Sequence, residues 1–384
     1  MEPECGNDVE MARSLTPWLR LLQVTVLFVA AASFATTRES SAATTRSAPA
    51  VQMLVGVAGT PLVYVVSKHT VGCTHEPCLQ LLRTSDNGIH FTTLHMPPLA
   101  FVSRDPLGNL SQLFFANSLD GYAFLNATYP SKMYVTVDGA KSWHRESIAP
   151  GDAILQLVTA HHELYAVVAH CSTTRVCTDY RIARSSLAAN KWTIDTLPAP
   201  LNKSFFALAA YDANVWENRQ GPRTSMLYSS NDKGRTFTQL SAPLLASVSA
   251  CALTSSSPSV LWAECPTGMS VSFFYSGDGG VHWNSVSRYE FSGTGGGAFD
   301  PVSSSLAYLD FGPFTSRPKD LYSITNSGHT MTPVGNLSCR SVNGLVFSDA
   351  QNGLAICDEN YSVASTYLLR SSDGGATWAK VILP

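Results

Sequence analysis

Seven short segments, spaced almost evenly along the chain, constrain its fold more than any other feature. "RTSDNGIHF" places Thr84, Asp86, Gly88 and Phe91 in a frame that returns four times. The returns are "VTVDGAKSW" (Thr136, Asp138, Gly139, Trp143), "YSSNDKGRTF" (Ser230, Asp232, Gly234, Phe237), "YSGDGGVHW" (Ser276, Asp278, Gly280, Trp283) and "RSSDGGATW" (Ser371, Asp373, Gly375, Trp378). "ITNSGHTM" is a weaker copy with Asn326, Gly328 and Met331, and "RSSLAANKW" keeps Ser185 and Trp192 but has Leu187 in the Asp position. The anchors fall at 86, 138, 187, 232, 278, 326 and 373, at intervals of 52, 49, 45, 46, 48 and 47 residues. A period in the forties built from short strands marks a β-propeller.

Each period reads as four strands. In the first, "VQMLVGVAG", "PLVYVVSK", "CLQLLRTSD" and "IHFTTLHM" are apolar or alternating runs bounded by Gly, Pro and Asn. In the last, "VNGLVFSD", "GLAICDE", "STYLLRSSD" and "ATWAKVILP" follow the same order. The repeated motif always falls between the third and fourth strands. The fold class is therefore all-β, a seven-bladed propeller of four-stranded antiparallel blades over residues 51–384, with about 48 residues per blade. Because the count begins and ends on whole blades, the ring closes by packing blade 1 against blade 7, with no strand exchanged. Only 14% of residues are charged, with Ser, Thr and Gly in their place, which favours strands and turns over exposed helices.

Residues 1–42 read separately as an export segment, with residues 43–50 as a linker. Arg13 and Arg20 precede the uncharged run Leu21–Ala35, which is short for a membrane span and suits the core of a signal peptide. Retention of this segment would make it a membrane anchor. Its removal takes three of the 25 basic and five of the 28 acidic residues, leaving 22 and 23. Such near-neutrality argues against nucleic acid or an anionic membrane surface as partner.

Cys5 lies ahead of the apolar run, and the other eight cysteines form local couples: Cys73/Cys78, Cys171/Cys177, Cys251/Cys265 and Cys339/Cys357. An even count in an exported chain reads as disulfides. The couples would clip the loop between strands two and three in blades 1 and 3, and join strands one and two in blades 5 and 7. Spacings of four and five residues, without a following His pair, do not suit zinc. Asn109, Asn126, Asn202, Asn336 and Asn360 begin glycosylation sequons, which matter on a eukaryotic export route.

The motif Ser-x-Asp-x-Gly-x-x-Trp between third and fourth strands resembles the Asp-box, or bacterial neuraminidase repeat. That repeat occurs in sialidases, xyloglucanase-type hydrolases, sortilin-type receptors and photosystem II assembly factors. "LFFANSLDGYAFL" and "LVFSDAQNGLAIC" make the chain most similar to the seven-bladed assembly-factor type. The resemblance implies structural roles for Asp86, Asp138, Asp232, Asp278 and Asp373, on the face away from any ligand site. One carboxylate per box is far short of a calcium shell.

No catalytic residue, metal ligand or cofactor site is assigned. Sialidases carry an Arg-Ile-Pro segment that this sequence lacks, and Tyr289 and Glu290, as strand neighbours, would point to opposite faces. His161, His162, Glu163 and His170 do not converge at ligand spacing. Candidate ligand-face loops are 69–78, 95–110, 213–223 and 312–320, the third carrying Trp216, Glu217, Arg219 and Arg223. The sequence thus points to an exported, non-catalytic scaffold for a protein or glycan partner. A sialidase-like or xyloglucanase-like glycoside hydrolase is the alternative.

Overall fold

The computed structural model describes residues 50–68, 78–99, 111–125, 132–148, 151–160, 162–172, 177–187, 191–196, 205–220, 225–242, 251–267, 270–286, 298–311, 319–360 and 365–384. The chain separates into two units, Met1–Thr45 and Arg46–Pro384. The second holds seven four-stranded antiparallel sheets, each built from four consecutive strands. The blades cover residues 50–94, 111–146, 153–196, 205–240, 252–285, 299–337 and 341–380. In blade 1 the strands are Ala50–Gly56, Val63–Lys68, Leu79–Thr84 and Thr92–Leu94, and in blade 7 Ser341–Phe347, Gly353–Asp358, Thr366–Ser371 and Ala379–Lys380. All seven anchors lie between third and fourth strands, as the spacing predicts. No helix among the described residues is long and apolar enough to cross a membrane.

The core is a ring of layers between blades. One cluster of buried apolar residues fills each of the seven seams. The closing seam packs Val51, Val63, Val65 and Leu82 of blade 1 against Leu354, Ile356, Leu368, Val381 and Leu383. Polar ties cross it as well. Thr366 Oγ1 donates to Val51 O at 2.6 Å, and Asn87 Nδ2 to Ser371 O at 2.5 Å. No strand is exchanged between the first and last blades.

A second repeat lies inside the seams. In every blade one residue of the second strand pairs opposite the residue just before the turn's leading position. These residues are Tyr64, Tyr122, Tyr165, Trp216, Trp262, Tyr308 and Leu354, so six of the seven blades place an aromatic ring there. The ring fills the gap to the next blade, and its polar tip needs a partner when buried. Tyr64, Tyr165 and Tyr308 hydroxyls donate to carbonyls in the next blade's first turn: Ser118 O at 3.5 Å, Asp212 O at 3.3 Å and Ala350 O at 2.9 Å. In blade 5 Trp262 takes the position, and Tyr275 beside it reaches Ser304 O at 3.3 Å.

The Phe-turn-Gly pattern of blades 2 and 7 follows from this packing. Phe115 stacks on Tyr64 with centroids 3.5 Å apart, and Phe347 on Tyr308 at 3.6 Å. Trp143 and Trp378 close each group edge-on. A Cβ on Gly353 would sit 2.6 Å from the Phe347 ring. Gly353→Ala is therefore expected to destabilise the protein by about 1–3 kcal/mol through overpacking. The loss should be read as a lower midpoint in a denaturant titration with an unchanged slope.

Candidate functional site: a disulfide-braced rim

Strand direction sorts the loops onto two ends. The third strand of each blade runs toward the Asp turn, so that end also carries the turns between strands one and two. The loops between strands two and three, and the links between blades, share the opposite end, here called the rim.

The Asp turns are closed on themselves. The leading Ser or Thr donates to the Asp, as in Thr84 to Asp86 at 2.8 Å and Ser371 to Asp373 at 2.8 Å. The same hydroxyl accepts the N–H of the second residue after the Asp, Gly88 at 2.9 Å and Gly375 at 2.8 Å. Sequence reasoning missed a further member, the fourth residue after the Asp. His90, Ser142, Thr236, His282 and Thr377 each give the carboxylate both a backbone N–H and a side-chain contact. The signal was present, since all five boxes carry Ser, Thr or His there. Bonds from Thr377 hold Asp373 at a pKa of about 2, and bonds from Ser142 and Thr236 hold Asp138 and Asp232 well below the ordinary range. Carboxylates committed in this way are turn pins.

The rim carries the covalent bracing. Cys171–Cys177 joins the ends of strands two and three in blade 3. Cys251–Cys265 and Cys339–Cys357 tie the approach to the first strand to the second strand in blades 5 and 7. Cys78 is also disulfide-bonded, while Cys73 lies outside the described residues. Beside Cys171 a charged cluster forms. Asp152, buried ahead of blade 3, is paired with Arg181, and His170 Nδ1 stands 3.6 Å from it. Arg181 Nε is 3.4 Å from Asp179 on the exposed side. Among the described residues no three His, Cys, Asp or Glu side chains gather to hold a metal.

The segment singled out in blade 4 requires a correction. Trp216, Glu217 and Arg219 belong to the strand Asn214–Gln220 and are buried, whereas the sequence placed them in an exposed loop. Trp216 faces blade 5, with its N–H on Gly279 O at 2.8 Å. Arg219 pairs with Glu217 at 2.9 Å and lies over the Tyr228 ring at 4.2 Å. The pair supplies charge to charge inside the sheet stack, which lets polar residues occupy a core strand. Burial pushes the Glu217 carboxyl up in pKa, and Arg219 opposes the shift. Arg223, Tyr289, Glu290 and His161 lie outside the described residues, as do most positions of the other proposed loops.

Two outcomes follow. Arg219→Met strands a buried carboxyl and is expected to cost about 3 kcal/mol, and Glu217→Gln added to it should recover part of that loss in a denaturant titration. Asp300 accepts Phe347 N–H across the blade 6–7 seam at 2.6 Å, and burial raises its pKa to about 7. A carboxyl raised in the folded state favours folding below its unfolded value of 3.8, and that contribution disappears as pH rises through about 7. Asp300→Asn should therefore flatten the fall in Tm between pH 5 and pH 8, by an amount equivalent to roughly 2–3 kcal/mol.

No family model matches this sequence, and no curated protein matches it. Solved structures do resemble it. A prolyl endopeptidase is 11% identical with a TM-score of 0.58; the match covers 87% of this chain and half of that one. A polysaccharide lyase of the PL25 ulvan lyase family is 11% identical with a TM-score of 0.54, covering 88% and 99%. YCF48 bound to D1 peptide is 13% identical with a TM-score of 0.47, covering 71% and 81%. At such identities the likeness is one of fold alone, and the fold is a seven-bladed β-propeller.

Proposed function

We propose that the protein is an exported, non-catalytic scaffold that holds a protein partner on its rim. The observation that carries this reading is the placement of the disulfides. All three described in full lie at the rim end, where they fix the strand ends from which the rim loops spring. Loops braced on a rigid framework lose little entropy when they bind. Disulfides also fit an oxidising compartment, in keeping with removal of residues 1–42 during export. The turn end has its carboxylates committed, whereas at the rim Asp179 and the His170 ring stand exposed beside the Asp152–Arg181 pair. A polar, charged rim around a packed framework suits a protein surface better than a small molecule.

Lysine placement allows a direct test. Lys68 ends the second strand of blade 1 at the rim, and Lys141 and Lys233 sit in Asp turns. Amine crosslinking of the protein with its co-purifying partner, read by mass spectrometry, should link the partner through Lys68. Links confined to Lys141 and Lys233 would reject the rim. Turnover of any substrate in a fluorogenic glycoside panel would reject the non-catalytic reading in favour of a glycoside hydrolase.

A further inference from the structure

The seams are not alike at the turn end. The residue just before the turn's leading position is Arg83, Val135, Arg184, Tyr275 and Arg370 in blades 1, 2, 3, 5 and 7, but Ser229 and Ser323 in blades 4 and 6. In the blade 1–2 seam the Arg83 guanidinium covers the next blade's turn, its Nη1 standing 3.8 Å from where a Cβ on Gly139 would lie. The matching position in the blade 4–5 seam is Gly279, where an added Cβ would meet nothing within 4 Å. In blade 6 the space beside Ser323 closes differently. Its outer strand, Thr330–Leu337, is long, and Gly335 lies so near the backbone of blade 7's turn that any Cβ would collide with it. Only blade 4 combines the small residue with a short outer strand, Thr238–Leu240.

The result is a cleft of about 260 Å³ between blades 4 and 5, floored by Trp216. Ser229 and Thr238 are register partners on one row of the sheet, and Asn214 and Asn231 line the cleft with them. The side chains of these four residues have no hydrogen-bond partner among the described residues. Two hydroxyls and two amides therefore face one space with their donors and acceptors uncommitted. The single charged residue of the lining is Asp278, whose carboxylate is already bonded to Ser276 and His282. With no cation and one carboxylate, the cleft repels anions. Its volume falls below the roughly 300–1,000 Å³ of sites for drug-sized ligands and suits a single ring.

We propose that this cleft binds one neutral sugar residue through Asn214, Ser229, Asn231 and Thr238. The site lies at the end of the ring opposite the rim, so it is independent of the proposed partner surface. A ring carrying several hydroxyls can satisfy all four side chains at once, and each then replaces a water contact by a protein contact. Such a small, polar site gives weak affinity for a single residue, with a Kd on the order of 1 mM. A glycan bearing that residue at its end would be held at the turn end and leave the rim free.

The test uses the mature secreted protein and ligand-observed saturation-transfer NMR. The probes are methyl glycosides of glucose, galactose and mannose, with N-acetylneuraminic acid as the anionic control. At least one neutral glycoside is expected to bind, and the acid is not. Ser229→Arg restores the side chain that blades 1, 3 and 7 carry and should reduce binding at least tenfold. Thr238→Val keeps shape but removes a hydroxyl, and should weaken binding several-fold with the melting curve unchanged; it decides the matter if Ser229→Arg fails to fold. Absence of binding by all three glycosides, preference for the acid, or binding that survives both substitutions would overturn the proposal.

Discussion

Every blade of this protein is a sheet that is apolar on both faces, and a sheet of that kind has no stable existence alone. Each must be covered twice, by the blade before it and the blade after it, and the ring is the arrangement in which all seven are covered. The seven apolar clusters are the physical content of that statement. The rest of the structure serves the seams. The tyrosines reach across them to the next blade's first turn, and the turn tryptophans seal their outer edges. At Glu217 the buried carboxyl is met by a countercharge, Arg219, whereas Asp300 in the blade 6–7 seam is met by a backbone N–H.

The Asp turns gain their meaning from the same constraint. Two successive residues with positive φ, such as Gly374 at 70° and Gly375 at 88°, bend the chain sharply enough to return it as the outer strand. The Ser hydroxyl, the Asp carboxylate and the Ser, Thr or His four residues on then saturate one another. Ala140 at 64° in blade 2 shows that the bonding pattern survives a residue that favours this region less. What repeats is the hydrogen-bond circuit, and the glycine is its cheapest tenant.

Much of this was legible in the sequence because period and turn chemistry are local. The anchors gave the blade count, and the spacing of Cys171/Cys177, Cys251/Cys265 and Cys339/Cys357 gave pairings within single blades. The aromatic row was harder to see. Tyr64, Trp216 and Tyr308 share a place only when the second and third strands are registered against each other. "ANVWENRQGPR" misled for a related reason. Its polar letters suggest a loop, but Glu217 and Arg219 neutralise each other on the same side of a strand, and a one-dimensional pattern does not register that pairing. The cleft of blade 4 was hidden more deeply, because it arises from two features together, a small Ser229 and a short outer strand.

The closing seam has a consequence for biogenesis. No strand passes between blades 1 and 7, so the four strands of one blade have all left the ribosome before the next blade begins. Blade 1 then waits with Val51, Val63, Val65 and Leu82 uncovered until Leu354, Ile356 and Leu368 arrive. The interval from Leu82 to Leu354 is most of the chain, and at about 5–20 residues per second it lasts on the order of 15–55 s. For that time the nascent protein is an open arc with an apolar face at its leading edge. Its dependence on chaperones should be greatest there, and it ends with the arrival of the last blade.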